Sequence, residues 1–340
     1  MKTIFAGAAA LSFAVGVFAG AANAETIKLE TYAGPKHAMN TTAWPTWIKE
    51  VTAASGGKLQ VKMTYPPINP RDLYDRVRNG ITDMAWITHG YTTGRFVLTD
   101  MVELPGSNGN GEQMSRAYWR TYSKHFMKKG EHKGVVVLAM FSHGPGMLHT
   151  STPITSIADI KGLKVRTGGG TQSRIAQRLG LVTVSAPVTK AHEILSRGVA
   201  KGILFSIETI WSFRLGKAVK YHYSYPGNLY ASSFAVIMNK GFYDRLGKAK
   251  QAMLWKVSGE HLSGLIGATW DKADQVAIKG LGAAGNTIAG FDAKTTTEIR
   301  TRLADLDAEW IGRAQKMGVS NAGAVLKEFR AEVAKIKAGN

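Results

Sequence analysis

Arg166 is the residue whose position best suits anion chemistry. It ends the strand-like segment 163–166 (LKVR), and the glycine-rich run 167–170 (TGGG) follows. Open α/β sheets bind ligands at the edge formed by the carboxyl ends of their strands. A guanidinium at that edge can hold a carboxylate through two parallel hydrogen bonds, although a surface ion pair has the same sequence signature.

The glycine run after Arg166 also raises the question of a phosphate-binding loop, because free amides at a helix N-terminus attract anions. A Walker motif needs Lys followed by Ser or Thr, and a dinucleotide fingerprint needs an acidic partner. The run fits neither pattern. We therefore interpret residues 167–170 as an anion-facing loop.

Aromatic residues occur in loops that follow predicted strands. Trp86 closes one short apolar segment and Tyr91 follows it, and Phe205, Trp211 and Phe213 lie near a later crossover. Core packing explains any one of them. Several together favour a pocket, because ligand clefts combine apolar walls with a few polar anchors.

Residue sets for catalysis or metal binding are absent from the sequence. The nine histidines show no metal-type spacing, and we interpret most of them as surface or packing residues. No Gly-x-Ser-x-Gly nucleophile elbow occurs, cysteine is absent, and the chain has only 24 acidic residues. The sequence therefore predicts no enzyme, metal site or cofactor.

Alternating strand and helix patterns must position these residues. The first part of the chain predicts strands at 26–31, 59–63 and 84–87, with helices at 42–54 and 72–79 between them. This order is typical of a parallel sheet covered by helices.

The same alternation of strands and helices continues downstream. It predicts strands at 134–140, 163–166, 182–184 and 234–239, helices at 171–179 and 189–197, and a last third that is helical throughout, at 249–279, 295–317 and 323–337. We infer an α/β protein with two lobes, a central cleft between them and long C-terminal helices.

The N-terminus has the features of a signal peptide. Lys2 precedes the apolar stretch 4–19, and Ala22-Asn23-Ala24 matches the small-x-small cleavage pattern. A membrane anchor is the alternative, but the stretch is shorter than a typical span. We predict export to the periplasm with cleavage after Ala24. The net charge of +19 then favours a cationic surface that assists anion capture over nucleic-acid binding.

The sequence resembles the solute-binding proteins of TRAP transporters, the tripartite ATP-independent periplasmic systems first known for C4-dicarboxylates. Segment 156–166 (SIADIKGLKVR) is similar to the family pattern "aDlkGlKiRvp". Segment 65–85 resembles "yP…lG…ell..v..G.lDma", and 235–246 resembles "lyvvvNk..yd.L". The order and spacing of the fragments cover nearly all of the mature chain.

This resemblance implies a periplasmic binding protein fold whose two lobes are joined by hinge strands and close on the ligand. We expect the signal peptide at 1–24, lobe I at 25–145 and 231–273, and lobe II at 146–230 and 274–340. It also implies a long helix crossing both lobes, for which 250–279 is the candidate. The partners would be the small and large membrane subunits of the transporter, and a monomer is expected.

In the family, the arginine of the "KxR" strand binds the ligand carboxylate, and this position is Arg166. The loop 86–91 and the segment 205–208 also reach the ligand. We expect hydrogen bonds from Thr88, Thr167 and Ser206, an apolar wall of Tyr32, Trp86 and Phe205, and a cleft rim at Asn69 and Arg71. His89 and Glu208 complete the predicted ligand-binding residues, because they lie in those two segments.

Two departures from the family pattern narrow the expected ligand. The usual Asp of the "vDg" turn is Lys201, and the segment 143–148 lacks the second arginine that members binding diacids carry. Both favour a monocarboxylate with apolar or aromatic bulk. The sequence thus predicts a transport receptor for an organic acid; a periplasmic enzyme or a sensory ligand-binding protein on the same scaffold is the alternative.

Overall fold

The computed structural model describes residues 24–339, so the predicted signal peptide lies, apart from its last residue, outside the described residues. Within this range, no helix combines the length and apolar character that a membrane crossing requires. The described chain contains two β-sheets with helices packed around them.

Eleven strands form the two sheets. Their bounds are β1 Glu25–Glu30, β2 Leu59–Thr64, β3 Met84–Thr88, β4 Val135–Ser142, β5 Gly146–Thr150, β6 Lys164–Thr167, β7 Val182–Ser185, β8 Gly202–Ser206, β9 Tyr221–Ser224, β10 Ser233–Asn239 and β11 Thr287–Gly290. The first sheet has the order β2-β1-β3-β10-β4, and the second has the order β11-β9-β5-β8-β6-β7.

Both sheets are mixed. In the first, β1 runs parallel to β2 and β3, whereas β10 is antiparallel to β3 and β4. In the second, β6 is parallel to β7 and β8, while β5 is antiparallel to β8 and β9. Every residue of β3 and β8 is buried, as expected for strands covered on both faces.

The helices lie between and after the strands. Their bounds are α1 Trp44–Ala54, α2 Leu73–Arg78, α3 Gly111–Thr121, α4 Ile157–Ile160, α5 Gly170–Arg178, α6 Ala191–Ser196, α7 Ile207–Ser212, α8 Lys240–Arg245, α9 Gly247–Trp255, α10 Glu260–Ala283, α11 Ala293–Leu303, α12 Leu306–Lys316 and α13 Ala322–Lys337. The predicted two-lobed α/β fold is confirmed, and each predicted strand coincides with an observed one.

The prediction that the last third contains only helices, at 249–279, 295–317 and 323–337, is wrong in two respects. Segment 249–279 is divided between α9 and α10 at Gly259, whose φ of +64° lies in the left-handed region that glycine adopts readily. Segment 295–317 is divided between α11 and α12. Strand β11 also lies in this third, where it pairs with β9 along the edge of the second sheet.

The chain passes between the two sheets three times. It crosses from β4 to β5 through residues 143–145, returns from β9 to β10 through 225–232, and crosses again along α10 before β11. The last helix, α13, packs on α3 with ion pairs that include Arg120–Glu332 at 2.8 Å. Helix α10 contacts β4 of the first sheet and β11 of the second.

Helix α10 contacts the first turns of α3 and α7 through two aspartates. Asp271 accepts hydrogen bonds from the backbone N–H groups of Gly111 and Glu112 at 2.6 and 2.9 Å. Asp274 accepts one from the N–H of Glu208 at 3.0 Å. The first N–H groups of a helix lack intrahelical partners, so a carboxylate from another helix satisfies them.

Candidate ligand-binding cleft

A cavity of about 510 Å³, partly open to solvent, lies between the two sheets. Its wall contains side chains from loops that follow β1, β3, β6, β8 and β9, and from α10. The lining residues are Tyr32, Ala33, His37, Trp86, Thr88, Gly90, Tyr91, Glu103, His143, Arg166, Gly168, Gly169, Gln172, Val188, Phe205, Thr209, Phe213, Ser232, Phe234 and Trp270.

Arg166 is the one lysine or arginine in that lining. The strand β6 holds it by pairing with β7 and β8, and its side chain is 1% exposed. Its Nε and Nη2 groups both donate to the backbone oxygen of Ala186, with Nε at 2.8 Å. The guanidinium carbon lies 4.4 Å from the centroid of the Phe205 ring. The orientation of the cation is therefore fixed by the protein itself.

The charge of Arg166 has no counter-ion within residues 24–339. No carboxylate oxygen of these residues lies within 4.0 Å of its guanidinium nitrogens. Burial lowers the pKa of Arg166, and the nearby Tyr91 partly offsets that effect. A guanidinium keeps its proton in proteins, so the cavity contains a buried, uncompensated positive charge.

Aromatic rings form a continuous wall beside this charge. Tyr32 stacks on Trp86 with ring centroids 4.2 Å apart, and Trp86 lies 5.8 Å from Phe234. Phe234 in turn stacks on Trp270 at 5.4 Å. His37 closes the row, 5.5 Å from Trp270. Flat apolar surfaces of this kind suit an aromatic ring of a ligand.

Polar groups of the wall are largely engaged with one another. The Tyr32 hydroxyl lies 2.7 Å from Thr88 Oγ1. Gln172 accepts from the N–H of Gly168 at 2.6 Å and donates to Ser232 Oγ at 3.0 Å. Burial lowers the pKa of His143 to about 4, so this histidine is neutral at pH 7.

The glycine run 168–170 meets the loop after β3. A β-carbon on Gly169 would lie 2.4 Å from the backbone oxygen of Gly90, and Gly169 has a φ of +98°. Both conditions require glycine at this position. The run leads into α5 and borders the cavity. The carboxylates of Asp100 and Glu103 lie close to Gly170, so the surroundings of this loop also include acidic groups.

Residues 29–312 match the sequence profile of the DctP family, described as bacterial extracellular solute-binding protein, family 7. The chain belongs to this family. It is also 28% identical over 321 residues, which are 93% of this chain and 94% of the relative, to a Comamonas testosteroni protein named outer membrane transporter protein TsaT.

Solved structures of TRAP periplasmic solute-binding proteins superpose closely on this one. A protein from Bordetella bronchiseptica, with bound (R)-mandelate and (S)-mandelate, has a TM-score of 0.89 and 34% identity, covering 92% of this chain and 99% of that one. A protein from Rhodoferax ferrireducens, with copurified benzoate, has a TM-score of 0.86 and 29% identity, covering 93% and 100%. The predicted family of TRAP solute-binding proteins is confirmed.

Five of the residues predicted to bind ligand lie at the cavity of this receptor: Tyr32, Trp86, Thr88, Arg166 and Phe205. Their roles toward a ligand stay predictions.

The structure places the other predicted residues elsewhere. Thr167 and Ser206 are buried and bond to Ser173 and Thr209 at 2.7 and 2.8 Å. Glu208 lies behind the wall, where it accepts from Thr209 Oγ1 at 3.2 Å. These three side chains are not among the lining groups.

His89, Asn69 and Arg71 are also absent from the lining. His89 is buried, with Nδ1 2.6 Å from Ser233 Oγ and Nε2 2.8 Å from His132 Nε2. Asn69 and Arg71 are exposed, and the Asn69 side chain accepts from the backbone N–H of Arg71 at 3.2 Å. That bond begins a short 3-10 turn, which explains the local sequence without a ligand.

Several lining residues had no distinguishing signal in the sequence. His37 lies in an irregular segment, Glu103 ends a short 3-10 turn, and Trp270 is one apolar residue among many on α10. These residues come together at the cavity because α10 crosses from one sheet to the other. No group of three or more His, Asp or Glu side chains in the described range is arranged to hold a metal ion.

Proposed function

We propose that this receptor captures a monocarboxylate with an aromatic ring in the periplasm and delivers it to the membrane subunits of a TRAP transporter. The observation that carries the proposal is the buried guanidinium of Arg166, which has no carboxylate partner within the described residues. An anionic ligand would neutralise this charge, and a monoanion would do so completely.

The shape and chemistry of the wall support an aromatic ligand. Trp86, Phe234 and Trp270 present ring surfaces to the cavity, and Arg166 lies at the same cavity. A benzoate-sized acid would bury its ring against them while its carboxylate meets the guanidinium. The relatives with bound mandelate and benzoate support the same class of ligand.

The sheets support lobe boundaries near 145/146 and 230/231, where the chain crosses between β4 and β5 and between β9 and β10. The boundary at 273/274 stays a prediction, because it lies within the continuous helix α10 and α13 packs on α3. We infer that the ligand is captured between the two lobes. A sensory role would use the same cleft. Transport is favoured because the closely similar structures are TRAP receptors. An enzymatic role would need acid–base groups or metal ligands that converge on one point of the cavity. The cavity lining has no such group of residues next to Arg166.

A ligand screen tests the proposal. Benzoate, mandelate and 3-hydroxybenzoate should raise the thermal midpoint of the purified receptor, because a ligand that binds only the native state stabilises it. Succinate and neutral sugars should have much smaller effects. Stabilisation by dicarboxylates or sugars alone would overturn the proposed ligand class.

Substitution of the predicted anchor provides the second test. Arg166→Ala should weaken benzoate binding at least about tenfold by calorimetry, because a hydrogen bond to a charged group contributes about 1.5–3 kcal/mol. Arg71→Ala is the matched control, since Arg71 is an exposed arginine outside the cavity. Equal losses in both variants would argue against a specific role for Arg166.

A further inference from the structure

Two acidic side chains on one short turn at the cavity have opposite surroundings. Asp100 and Glu103 both lie on the 3-10 turn Thr99–Glu103, and both are buried. Asp100 forms ion pairs with Arg174 at 2.6 Å and Arg313 at 2.7 Å. Glu103 has no lysine, arginine or histidine nitrogen within 4.0 Å in the range 24–339. The charge of one carboxylate is compensated, and that of the other is not.

The carboxyl group of Glu103 has one oxygen engaged and one unengaged. Oε1 accepts a hydrogen bond from the backbone N–H of Ser233 at 2.9 Å. Oε2 is buried and accepts no hydrogen bond of normal geometry, although the backbone N–H of Thr171 is near enough to lower the pKa of the carboxyl group. Glu103 belongs to the cavity wall and is 2% exposed, so this oxygen is shielded from bulk water next to the space that a ligand would fill.

A neutral carboxyl is the form that fits this environment. Burial without a cation strongly disfavours a carboxylate, and the negative charge of Asp100 adds repulsion. Both effects raise the pKa of Glu103, to about 8. With Oε1 accepting from Ser233, the proton belongs on Oε2, which then becomes a hydrogen-bond donor without an acceptor.

We propose that Glu103 is a specificity residue that donates its carboxyl O–H to an oxygen of the bound organic anion. This inference rests on the proposed function and deepens it. Arg166 would supply the charge that neutralises the ligand, and Glu103 would supply a second, neutral donor from the wall of the same cavity. A protonated carboxyl bonded to a carboxylate oxygen forms a short, strong hydrogen bond, because the acceptor is ionised.

The proposal makes ligand binding depend on the protonation of the Glu103 carboxyl group. Below pH 8 Glu103 already carries the proton, and binding needs none from solution. Above pH 8 the ionised side chain would repel the anion, so binding must be accompanied by proton uptake. The affinity should fall about tenfold for each pH unit above 8, as linkage requires for one titrating group.

Other groups around Glu103 do not explain such a titration. Asp100 and Arg174 are ion-paired, and the hydroxyls of Tyr118 and Tyr230 have pKa values that burial raises well above 10. Ser233 and Thr171 contribute only backbone N–H groups. Burial also raises the pKa of Asp274 to about 8 and that of Glu131 to about 7, but neither lines the cavity.

Calorimetry with benzoate between pH 6.5 and 9.5 tests the inference. In two buffers of different ionisation enthalpy, the wild-type receptor should take up close to one proton per benzoate at pH 9 and almost none at pH 6.5. Glu103→Gln keeps a donor of similar shape, so it should bind benzoate within a few-fold of wild type at pH 7 and lose both the proton uptake and the alkaline decline. Glu103→Leu removes the donor and should weaken binding about 10- to 100-fold.

Glu131→Gln and Asp274→Asn are the matched controls, because each removes another buried acid with a raised pKa. Both should retain the wild-type pH profile. A decline that persists in Glu103→Gln, or disappears in either control, would overturn the assignment to Glu103. Benzoate affinity that is constant to pH 9.5 would overturn this inference alone, whereas no binding of any aromatic acid at any pH would overturn the proposed function as well.

Discussion

Two of the five N–H groups of the Arg166 guanidinium are already used within the protein. The Nε and Nη2 atoms donate to Ala186, so the groups left for a ligand are on Nη1 and the other side of Nη2. A carboxylate would therefore approach the guanidinium end-on. The sequence pattern predicted the location of this arginine, but not which of its atoms are available, because Ala186 lies 20 residues away on a loop after the neighbouring strand.

Individual side chains also show where reading the sequence fails. Tyr32 and Phe205 were predicted for the wall and lie there, whereas His89 follows Thr88 directly and lies behind the wall. Proximity along the chain does not determine the direction of a side chain. Glu103 has no motif around it, and its distinguishing property is the absence of a cation, which only the folded arrangement reveals.

A buried pair of histidines, His149 and His222, predicts loss of stability in acid. Their Nδ1 atoms are 2.8 Å apart. His149 Nε2 lies 3.1 Å from the backbone oxygen of Phe205 and donates to it, so its Nδ1 accepts from His222. His222 Nε2 then accepts from the Asn286 amide, whose nitrogen lies 3.1 Å away when the amide is turned accordingly. Each donor and acceptor in this series of hydrogen bonds requires both imidazole rings to be neutral.

Burial lowers the pKa of both histidines, so the unfolded chain binds protons first as the pH falls below about 6.5. Each group should then remove about 1.4 kcal/mol of stability per pH unit until its native pKa is reached. Thermal melts between pH 7 and 5 should show a shallower decline for the double variant His149→Gln/His222→Gln than for wild type. Exposed His261→Gln serves as control; equal slopes in all three proteins would contradict this prediction.

At the scale of elements, glycine positions decide how closely the loops after β3 and β6 can approach. Gly169→Ala would place a β-carbon 2.4 Å from the Gly90 oxygen, whereas Gly90→Ala would place one 3.6 Å from the oxygens of Gly168 and Gly169, an ordinary contact. We expect Gly169→Ala to weaken benzoate binding at least about tenfold by calorimetry, because overpacking typically costs about 1–3 kcal/mol.

Two controls separate this clash from other effects. Gly90→Ala should bind nearly as well as wild type. Gly94→Ala introduces a side chain at a φ of +85° with no atom within 4 Å, so it reproduces the backbone strain of Gly169→Ala without the steric conflict. If Gly94→Ala reduces affinity equally, the loop contact is not the cause.

Clear apolar patterns made β1 and β4 predictable, and even the four-residue strands β6 and β7 were predicted. The strands β5, β8 and β9 were not, because tertiary pairing defines them. Helix α3 begins with a capping box at Asn110 and Gln113 that the sequence reading did not use. Gly259 ends the apparent continuity of α9 and α10, because a tolerated helical glycine and a left-handed one look alike in sequence.

For the whole molecule, several contacts join loops after β3 to segments that follow β6 and β7 and to the C-terminal helices. The Tyr91 hydroxyl accepts from the Val188 N–H at 3.0 Å, and Trp310 Nε1 donates to the Val97 oxygen at 3.0 Å. Asp100 adds its ion pairs with Arg174 and Arg313. The general two-lobed fold could be predicted from the order of strands and helices, whereas these contacts depend on the relative position of the lobes.

Small-angle X-ray scattering should detect closure on ligand binding. We expect the radius of gyration, about 20 Å for a compact chain of this length, to decrease when saturating benzoate is added. Arg166→Ala at the same benzoate concentration should retain the ligand-free value. A radius that does not change in the wild-type receptor, under conditions where calorimetry shows saturation, would contradict closure by movement of whole lobes.

The two aspartates of α10 determine what kind of movement that can be. Asp271 and Asp274 lie within one turn of a single helix, yet one binds the first turn of α3 and the other the first turn of α7. Since a helix does not stretch, α3 and α7 cannot slide along α10 in opposite directions while these bonds persist. Any opening that preserves both bonds must be a rotation about this helix, so α10 would act as a pivot and the cleft would open like a hinge rather than by shear.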